Sequence, residues 1–374
     1  MNFEVEFLKG QEGKNQGIPM GEGLTSLSNA INGIQHGKQF VVASAPKVGK
    51  STFVNYGFVI QPYLYCLQHN IEIEWIYYSL EMKRVQQEFD FASFFFFYDH
   101  KIKEVELPMG IRKDNKTTIP ISSAYLRGIV KDDEGNMIKV SKEHSDILFK
   151  IYNDRIIPLF GRWNPKTGVQ ETRGKIIFIK DSSNPTGINK DLLAYAEQNG
   201  KIIKKNENGY VRNVSYVPNN PEKYVIVVTD HLRKLIPEQG MKTKGVVDKM
   251  SEYHCILRDL LNFTFVDIIH LNRSVSDITR MKAFSDMLFP SSDDVKDTGN
   301  LAEDCDYLIT LFNPNDERYN LTKHFKTVIK TDTGSILYPG MRSVHLVESR
   351  HSEFPQHFRV EMEGGIKNFN KLII

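Results

Sequence analysis

The stretch Ala43–Thr52, "ASAPKVGKST", decides the fold, because it joins a short apolar run to a long amphipathic one. The run before it, "QFVVAS" (Gln39–Ser44), has the nearly continuous apolar character of a strand buried on both faces. The pattern after it, Thr52–Gln68, is that of a helix. A strand, a tight loop and a helix in this order are typical of a phosphate-binding loop, whose backbone N–H groups point inward at an anion.

The loop residues meet the requirements of such a site, with one departure. Gly49 permits close approach of the backbone, Lys50 can reach the terminal phosphates, and the hydroxyl of Ser51 can hold Mg²⁺. Ser51 and Thr52 open the helix, whose N-terminal dipole favours anions. The pattern G-x-x-x-x-G-K-[ST] has glycine where this chain has Ser44. The alternative is an ordinary strand–turn–helix with an exposed lysine.

We therefore predict that ATP binds with Mg²⁺ along the whole loop. The predicted nucleotide-binding residues are Ser44, Ala45, Pro46, Lys47, Val48, Gly49, Lys50, Ser51 and Thr52.

Two carboxylates follow other apolar runs. "YVIVVTD" places Asp230 at the end of such a run, the position of a carboxylate that orders Mg²⁺. Asp230 could instead only cap the next helix. "YYSLEM" places Glu81 just past a strand end, where it could polarise the attacking water as a base. Taken alone, Glu81 also fits a surface residue in a first helical turn.

Short apolar runs alternate with helical patterns along most of the chain, which predicts an α/β fold with a mostly parallel central sheet and helices on both faces. The further runs are Glu72–Leu80, Lys175–Asp181, Tyr224–Asp230, Val266–Asn272 and Asp306–Phe312. The further helical patterns are Met82–Tyr98, Ser141–Leu159, Asn189–Gln198 and Val246–Leu261. "SVHLVESRHSEFPQHFRVEM" predicts a C-terminal antiparallel hairpin.

The predicted organisation is one elaborated domain. Residues 1–20 are polar and glycine-rich and form an arm, and residues 21–374 form the ATPase domain. An internal insertion spans about 107–219, where loops and Gly/Asn-rich turns interrupt the alternation. The aromatic run Phe91–Tyr98 is too short to cross a bilayer and predicts a buried helix face.

Composition narrows the compartment and the partners. The formal net charge is +2, from 48 basic and 46 acidic residues, so contacts with nucleic acid must come from local patches. The three cysteines show no paired spacing, which favours a reducing compartment and argues against a zinc or disulfide framework. The N-terminus is too charged for a signal peptide. We expect a cytoplasmic protein without membrane contact.

Five motifs in one order carry a family resemblance. They are "GEGLTSLSNAINGIQHGKQFVVASAPKVGKST", "YYSLEM", "YVIVVTDH", "IIHLNRS" and "SSDDVKDTGNLAEDCDYLITLF". The chain resembles the C-terminal motor domain of DnaB-type replicative DNA helicases, which has the RecA-like ATPase fold. The resemblance runs from about Gly21 to Phe369 and is weak between Leu107 and Asn219.

The resemblance implies roles for residues of the site. Lys50 and Ser51 would hold phosphates and Mg²⁺, Glu81 would be the catalytic base, and Asp230 would order Mg²⁺. His270 stands where the family has a polar sensor, usually glutamine, although a histidine at the edge of the core is the alternative. Arg350 of "ESR" is the candidate arginine finger that reaches the next subunit, and the accompanying lysine position holds Glu348.

DNA contacts are expected on loops. The resemblance implies that "SDDVKDTG" lines a central channel and touches single-stranded DNA, and two local basic patches follow strand ends. A solvated loop is the alternative for any single lysine. The predicted DNA-binding residues are Lys242, Lys244, Arg273, Arg280, Lys282, Lys296, Asp297 and Gly299.

The function expected from the resemblance is an ATP-dependent DNA helicase, a hexameric ring with ATP sites at subunit interfaces that moves on single-stranded DNA at a fork. The chain starts almost at the motor, which is typical of bacteriophage versions without a collar domain; the location would then be the host cytoplasm. A helicase loader or primase is a candidate partner, although not through a collar. The alternatives are a filament-forming RecA-like recombinase and a non-catalytic nucleotide-binding assembly factor. "SLEM" and "DTGNLAEDCD" argue against the first, and Ser44, His270 and Glu348 favour the second.

Overall fold

A computed structural model describes most of the chain. The residues that it describes are 3–11, 16–107, 117–164, 166–180, 184–207, 209–272, 287–295, 300–319, 321, 324–325, 329–331 and 334–372.

Fifteen strands are found in the described residues. They are β1 Gln39–Ser44, β2 Ile73–Ser79, β3 Glu104–Glu106, β4 Thr118–Pro120, β5 Ile176–Ile179, β6 Gly200–Glu207, β7 Tyr210–Pro218, β8 Tyr224–Asp230, β9 Thr264–His270, β10 Tyr307–Phe312, β11 Ile329–Thr331, β12 Gly334–Ile336, β13 Met341–Ser349, β14 Gln356–Glu363 and β15 Asn368–Lys371.

Helices occupy much of the remaining described chain. They are α1 Phe3–Gln11, α2 Thr25–Ala30, α3 Lys50–Val54, α4 Gln61–His69, α5 Arg84–His100, α6 Ser123–Leu126, α7 Lys142–Ile151, α8 Ile157–Phe160, α9 Pro185–Gln198, α10 Thr243–Leu261 and α11 Leu301–Asp304. π-Helical segments, Asn55–Ile60 and Tyr152–Ile156, join α3 to α4 and α7 to α8.

Nine of the described strands form one sheet in the order β15-β14-β13-β10-β1-β9-β8-β2-β5. The six strands from β10 to β5 run parallel, and β13, β14 and β15 add to them antiparallel. Strands β1 and β10 are buried at all six of their positions, which explains their continuous apolar sequences. The predicted α/β fold, parallel sheet and C-terminal hairpin are confirmed, and β15 extends that hairpin by one strand.

Two apolar layers cover the faces of the sheet. On one face, α3, the π segment after it and α5 supply aromatic side chains, among them Phe53, Phe58 and Phe95. On the other face, α9 and α10 pack through Leu192, Met250 and other aliphatic side chains. The predicted burial of the Phe91–Tyr98 run is confirmed, because Phe91 and Phe94–Phe96 are all buried within α5. None of the helices in the described part of the chain is both long and apolar enough to cross a membrane.

The segment predicted as an insertion is continuous with the sheet at one point and separate from it at another. β5 pairs with β2 and forms the edge of the sheet, from Trp75↔Ile176 to Tyr78↔Ile179. β6 and β7 pair only with each other. Within the predicted arm, Ile18 and Met20 are buried in the core, and Ile18 bridges to Ile34. The boundaries at residue 20 and at 107–219 stay predictions.

Candidate functional site

The loop between β1 and α3 lies at the carboxyl edge of the parallel strands, where α/β folds bind ligands. Its backbone takes left-handed conformations at Lys47 (φ +65°) and Gly49 (φ +112°). A Cβ at Gly49 would lie 2.6 Å from Sδ of Met362. Glycine is required there for both reasons, and Lys50 then begins the helix.

Ser44 departs from the loop pattern without disturbing the backbone. It is the last residue of β1, in register with Leu311 on one side and His270 on the other. Its hydroxyl donates to the carbonyl of Ala45 at 2.8 Å. An extended residue in a strand can carry a side chain, so glycine is not needed at this position.

Lys50 is drawn inward from the loop. Its side chain is only 6% exposed, and Nζ donates to the carbonyl of Ala45 at 3.3 Å and to Nδ1 of His270 at 2.8 Å. Burial lowers the pKa of Lys50 to about 8, against the attraction of Asp230 and Glu81. Burial and the Lys50 charge also lower the pKa of His270, so a neutral imidazole accepts this bond at neutral pH.

Asp230 ends β8 next to this lysine and is 2% exposed. Burial raises its pKa to about 6, and the Glu81 charge raises it further, whereas a hydrogen bond from Ser51 and the Lys50 charge act in the opposite direction. Among the described residues, Oδ1 of Asp230 has no hydrogen-bond partner. Native structures seldom leave a buried carboxylate oxygen unsatisfied, and oxygen ligands of this kind suit Mg²⁺. The pair Ser51 and Asp230 therefore fits the predicted metal site.

Glu81 reaches the same site from β2. Ser79 and Asp230 are paired in register at the ends of their strands, and Glu81 follows two residues later with an exposed side chain. Its charge acts on the pKa values of Lys50, Asp230 and His270, so it lies near all three. An exposed carboxylate next to a phosphate loop can accept a proton from water.

Sequence reasoning missed two side chains at the site. His231 is buried against His270, with ring centroids 4.2 Å apart, and burial together with the His270 and Lys50 charges lowers its pKa to about 2. Arg342 of β13 braces the loop, because its Nε donates to the carbonyl of Val48 at 3.1 Å. The position after Asp230 is a weak signal for His231. No sequence signal points to Arg342, because the contact joins residues 294 positions apart.

Arg350 lies at the opposite edge of the sheet. It follows β13, which runs antiparallel to β10, and its backbone N–H donates to the carbonyl of Asp306 at 3.0 Å. Its guanidinium Nη2 donates to the carbonyl of Glu303 at 2.6 Å. A six-residue strand separates this edge from the loop by roughly 17 Å. The structure therefore does not bring Arg350 to the phosphate loop of its own chain.

The predicted DNA contacts are only partly covered by the description. Lys242 and Lys244 are exposed at the start of α10, which begins beyond the carboxyl end of β8. The other six residues predicted to bind DNA lie outside the described residues. They are Arg273, Arg280, Lys282, Lys296, Asp297 and Gly299.

No protein-family model matches the sequence, and no curated protein matches it either. Among solved structures, the chain is similar to the ATPase domain of a phage DnaB-like helicase, with a TM-score of 0.61 and 14% sequence identity over 99% of this chain and 96% of that one. A DnaB-like replicative helicase, described with its interactions with primase, is similar with the same TM-score and identity; the alignment covers 99% of this chain and 65% of that one. At this identity the similarity shows the fold, and the predicted resemblance to DnaB-type motors is confirmed at that level.

Proposed function

We propose that the chain is the motor of a replicative DNA helicase, which hydrolyses ATP with Mg²⁺ to move along single-stranded DNA. The observation that carries the proposal is the buried group of Lys50, Ser51 and Asp230 at the start of a helix that follows a tight loop. A buried ammonium group and a buried carboxylate with an unsatisfied oxygen cost free energy unless a ligand uses them. The shared fold with DnaB-like motors favours this ligand and this reaction.

The residues would divide the work of phosphoryl transfer. The backbone of the loop and Lys50 would bind the phosphates, and Ser51 and Asp230 would hold Mg²⁺. Bound Mg²⁺ would neutralise the charge that develops on the phosphate oxygens. Glu81 would orient the attacking water and accept its proton. His270 would pass from accepting a bond from Lys50 to donating one to a phosphate oxygen.

ATP sites at subunit interfaces follow from the position of Arg350. Because Arg350 sits across the sheet from its own phosphate loop, it can act on a triphosphate only in a neighbouring subunit. An arginine supplied in trans stabilises the negative charge of the transition state. A closed hexameric ring would give every site such an arginine, whereas an open filament would leave one end without it.

The partners are part of the proposal. Lys242 and Lys244 are cations at the positive end of the α10 dipole, where they do not stabilise the helix, so contact with DNA phosphates is the better account of them. Arg273, Arg280, Lys282, Lys296, Asp297 and Gly299 remain proposed contacts to the strand in the channel. Primase is proposed as a partner by analogy with the solved DnaB-like helicase. We place the protein in the cytoplasm.

The decisive experiment measures ATP turnover with and without single-stranded DNA, together with strand displacement on a forked duplex. We expect DNA to stimulate turnover, and we expect Lys50→Ala to lower both activities by about 100-fold or more. Lys150→Ala, a change of an exposed lysine away from the loop, is the control. Equal unwinding by the Lys50→Ala variant would refute the helicase assignment. Absence of DNA-stimulated turnover in assembled protein would favour the non-catalytic assembly factor.

A mixing experiment tests the role of Arg350. Arg350→Ala and Lys50→Ala chains should each be inactive, because each lacks one half of every interface. Mixed rings contain some interfaces with an intact loop facing an intact arginine, so turnover should reappear on mixing. No recovery, in mixtures shown by mass determination to form joint assemblies in the presence of nucleotide, would refute action in trans. Closed rings in electron micrographs would separate the helicase from a filament-forming recombinase.

A further inference from the structure

The ribbon of β6 and β7 stands apart from the main sheet. Its base is anchored, because Ile202 is buried in the apolar layer that contains α9 and α10, and Tyr216, opposite it in the ribbon, packs against that layer. Beyond this base the strands are exposed, and Tyr210 and Val211 near the turn are 75% and 65% exposed. An eight-residue strand is about 26 Å long, so the ribbon projects well beyond the domain.

The pairing register separates the ribbon into two faces. Ile202 and Tyr216 are paired and mark the inner face, as does Lys204, which forms an ion pair with Glu197 of α9 at 3.0 Å. The alternation of side chains therefore places Lys201 and the pair Lys205↔Arg212 on the outer face. The residues of the outer face that matter below are Lys201, Lys205, Arg212 and Tyr210.

The ribbon is far more basic than the chain as a whole. Residues 200–218 contain four basic residues and one acidic residue, a net charge of +3, whereas the entire chain carries +2. Exposed valines and a tyrosine lie among these cations, since Val217 is opposite Lys201 and Tyr210 lies two residues before Arg212. Cations interleaved with exposed apolar groups suit a polyanion that also presents apolar edges.

We propose that this ribbon binds double-stranded DNA by lying in its major groove. That groove is about 12 Å wide and admits a two-stranded ribbon. Lys201, Lys205 and Arg212 would contact phosphates along the groove, and Tyr210 would contact base edges near the turn. A register shift at Ile203/Lys204 adds one residue to β7, and such a bulge strengthens the right-handed twist of the ribbon.

The location of the ribbon keeps this contact separate from the ATP site. Its base leads directly into the start of β8, at the amino edge of the parallel strands, whereas the phosphate loop lies at the carboxyl edge. Duplex binding therefore needs neither nucleotide nor the proposed channel loops. The inference goes beyond the proposed motor function and does not depend on it.

The test is fluorescence anisotropy of a labelled duplex of about 20 base pairs, without nucleotide, across a range of salt concentrations. The variant combines Lys201→Gln, Lys205→Gln and Arg212→Gln. Each lost phosphate contact lowers the slope of log affinity against log salt by about 0.9. We expect a slope smaller by about 2 to 3 and an affinity at least about 10-fold weaker at roughly 0.1 M salt.

The matched control makes the same change in net charge elsewhere. Lys139→Gln, Lys142→Gln and Lys150→Gln replace three exposed lysines outside the ribbon, and they should leave affinity and slope unchanged. A second variant shortens the ribbon by joining Ile203 to its partner Ser215 through Asn-Gly, a sequence that favours a two-residue hairpin turn. It keeps the buried base and should lose as much affinity as the triple variant.

Four results would overturn the proposal. They are wild-type affinity and slope in the ribbon variants; an equal loss in the charge-matched control; a loss confined to an oligo(dT) probe of the same length, which would assign the ribbon to single strands; and no duplex binding by the wild type at low salt, which would leave the exposed valines to a protein partner. Thermal melting of each variant checks that the fold is intact. Failure of ATP turnover would refute the proposed motor but would leave this measurement unaffected.

Discussion

Asp230→Asn should stabilise the nucleotide-free protein at neutral pH, although it should abolish ATP turnover. Burial is the main reason that the pKa of Asp230 rises from 3.8 to about 6. One pKa unit corresponds to about 1.4 kcal/mol, so the ionised carboxylate costs the folded state on the order of 3 kcal/mol relative to the protonated form. Asparagine has nearly the same shape and stays neutral, so the variant does not carry this cost.

The effect should depend on pH in a defined direction. The folded state holds the Asp230 proton more tightly than the unfolded state, so the wild-type free energy of unfolding falls as the pH rises from about 4 to about 6. Above about pH 6 the whole cost is present. The variant should therefore exceed the wild type by about 3 kcal/mol at neutral pH, and the two should converge near pH 4.

Urea unfolding with EDTA measures this difference at each pH. Asp306→Asn is a control of opposite sign: burial raises the pKa of Asp306, but hydrogen bonds from the backbone of Gln39 and from His351, with the Arg258 charge, hold it below its usual value. That variant should be less stable than the wild type at neutral pH. An Asp230→Asn variant that is no more stable than the wild type at neutral pH, or a difference that does not change with pH, would refute the reasoning.

Two further substitutions test the loop and the core. Gly49→Ala combines φ +112° with a Cβ 2.6 Å from Sδ of Met362, and we expect it to lower the free energy of unfolding by about 1–3 kcal/mol. Gly209→Ala, where φ is +83° and no atom lies within 4 Å of the added Cβ, should cost less, and equal losses would show that the Met362 contact is relieved. Phe95→Ala empties a fully buried site and should cost about 3–5 kcal/mol in urea unfolding. Phe149→Ala, at a residue that is 67% exposed, should change stability by less than about 0.5 kcal/mol, and a similar loss in both would contradict the assigned core.

The parallel core and its phosphate loop could be predicted from the sequence because their signals are local. A strand buried on both faces must be apolar along its length, so "QFVVAS" and "YVIVVTD" coincide with β1 and β8 at every residue. A loop that curls around an anion needs glycine at a left-handed position, and Gly49 occupies one. Boundaries elsewhere moved by one to four residues, as at α9, where Asn184 caps a helix that begins at Pro185 instead of Asn189.

Other features depend on contacts between distant parts of the chain, and only the tertiary structure decided them. The tolerance for Ser44 follows from its register in β1, and the contact of Lys50 with His270 joins residues 220 positions apart. The antiparallel direction of β13 puts Arg350 across the sheet from the loop, which the "ESR" motif could not indicate. The same holds for the ribbon of β6 and β7, since its sequence predicts turns but not which face is left exposed. Local patterns determine which segments become strands and helices, whereas strand order and register determine which side chains meet, because pairing depends on surfaces buried between segments far apart in the chain.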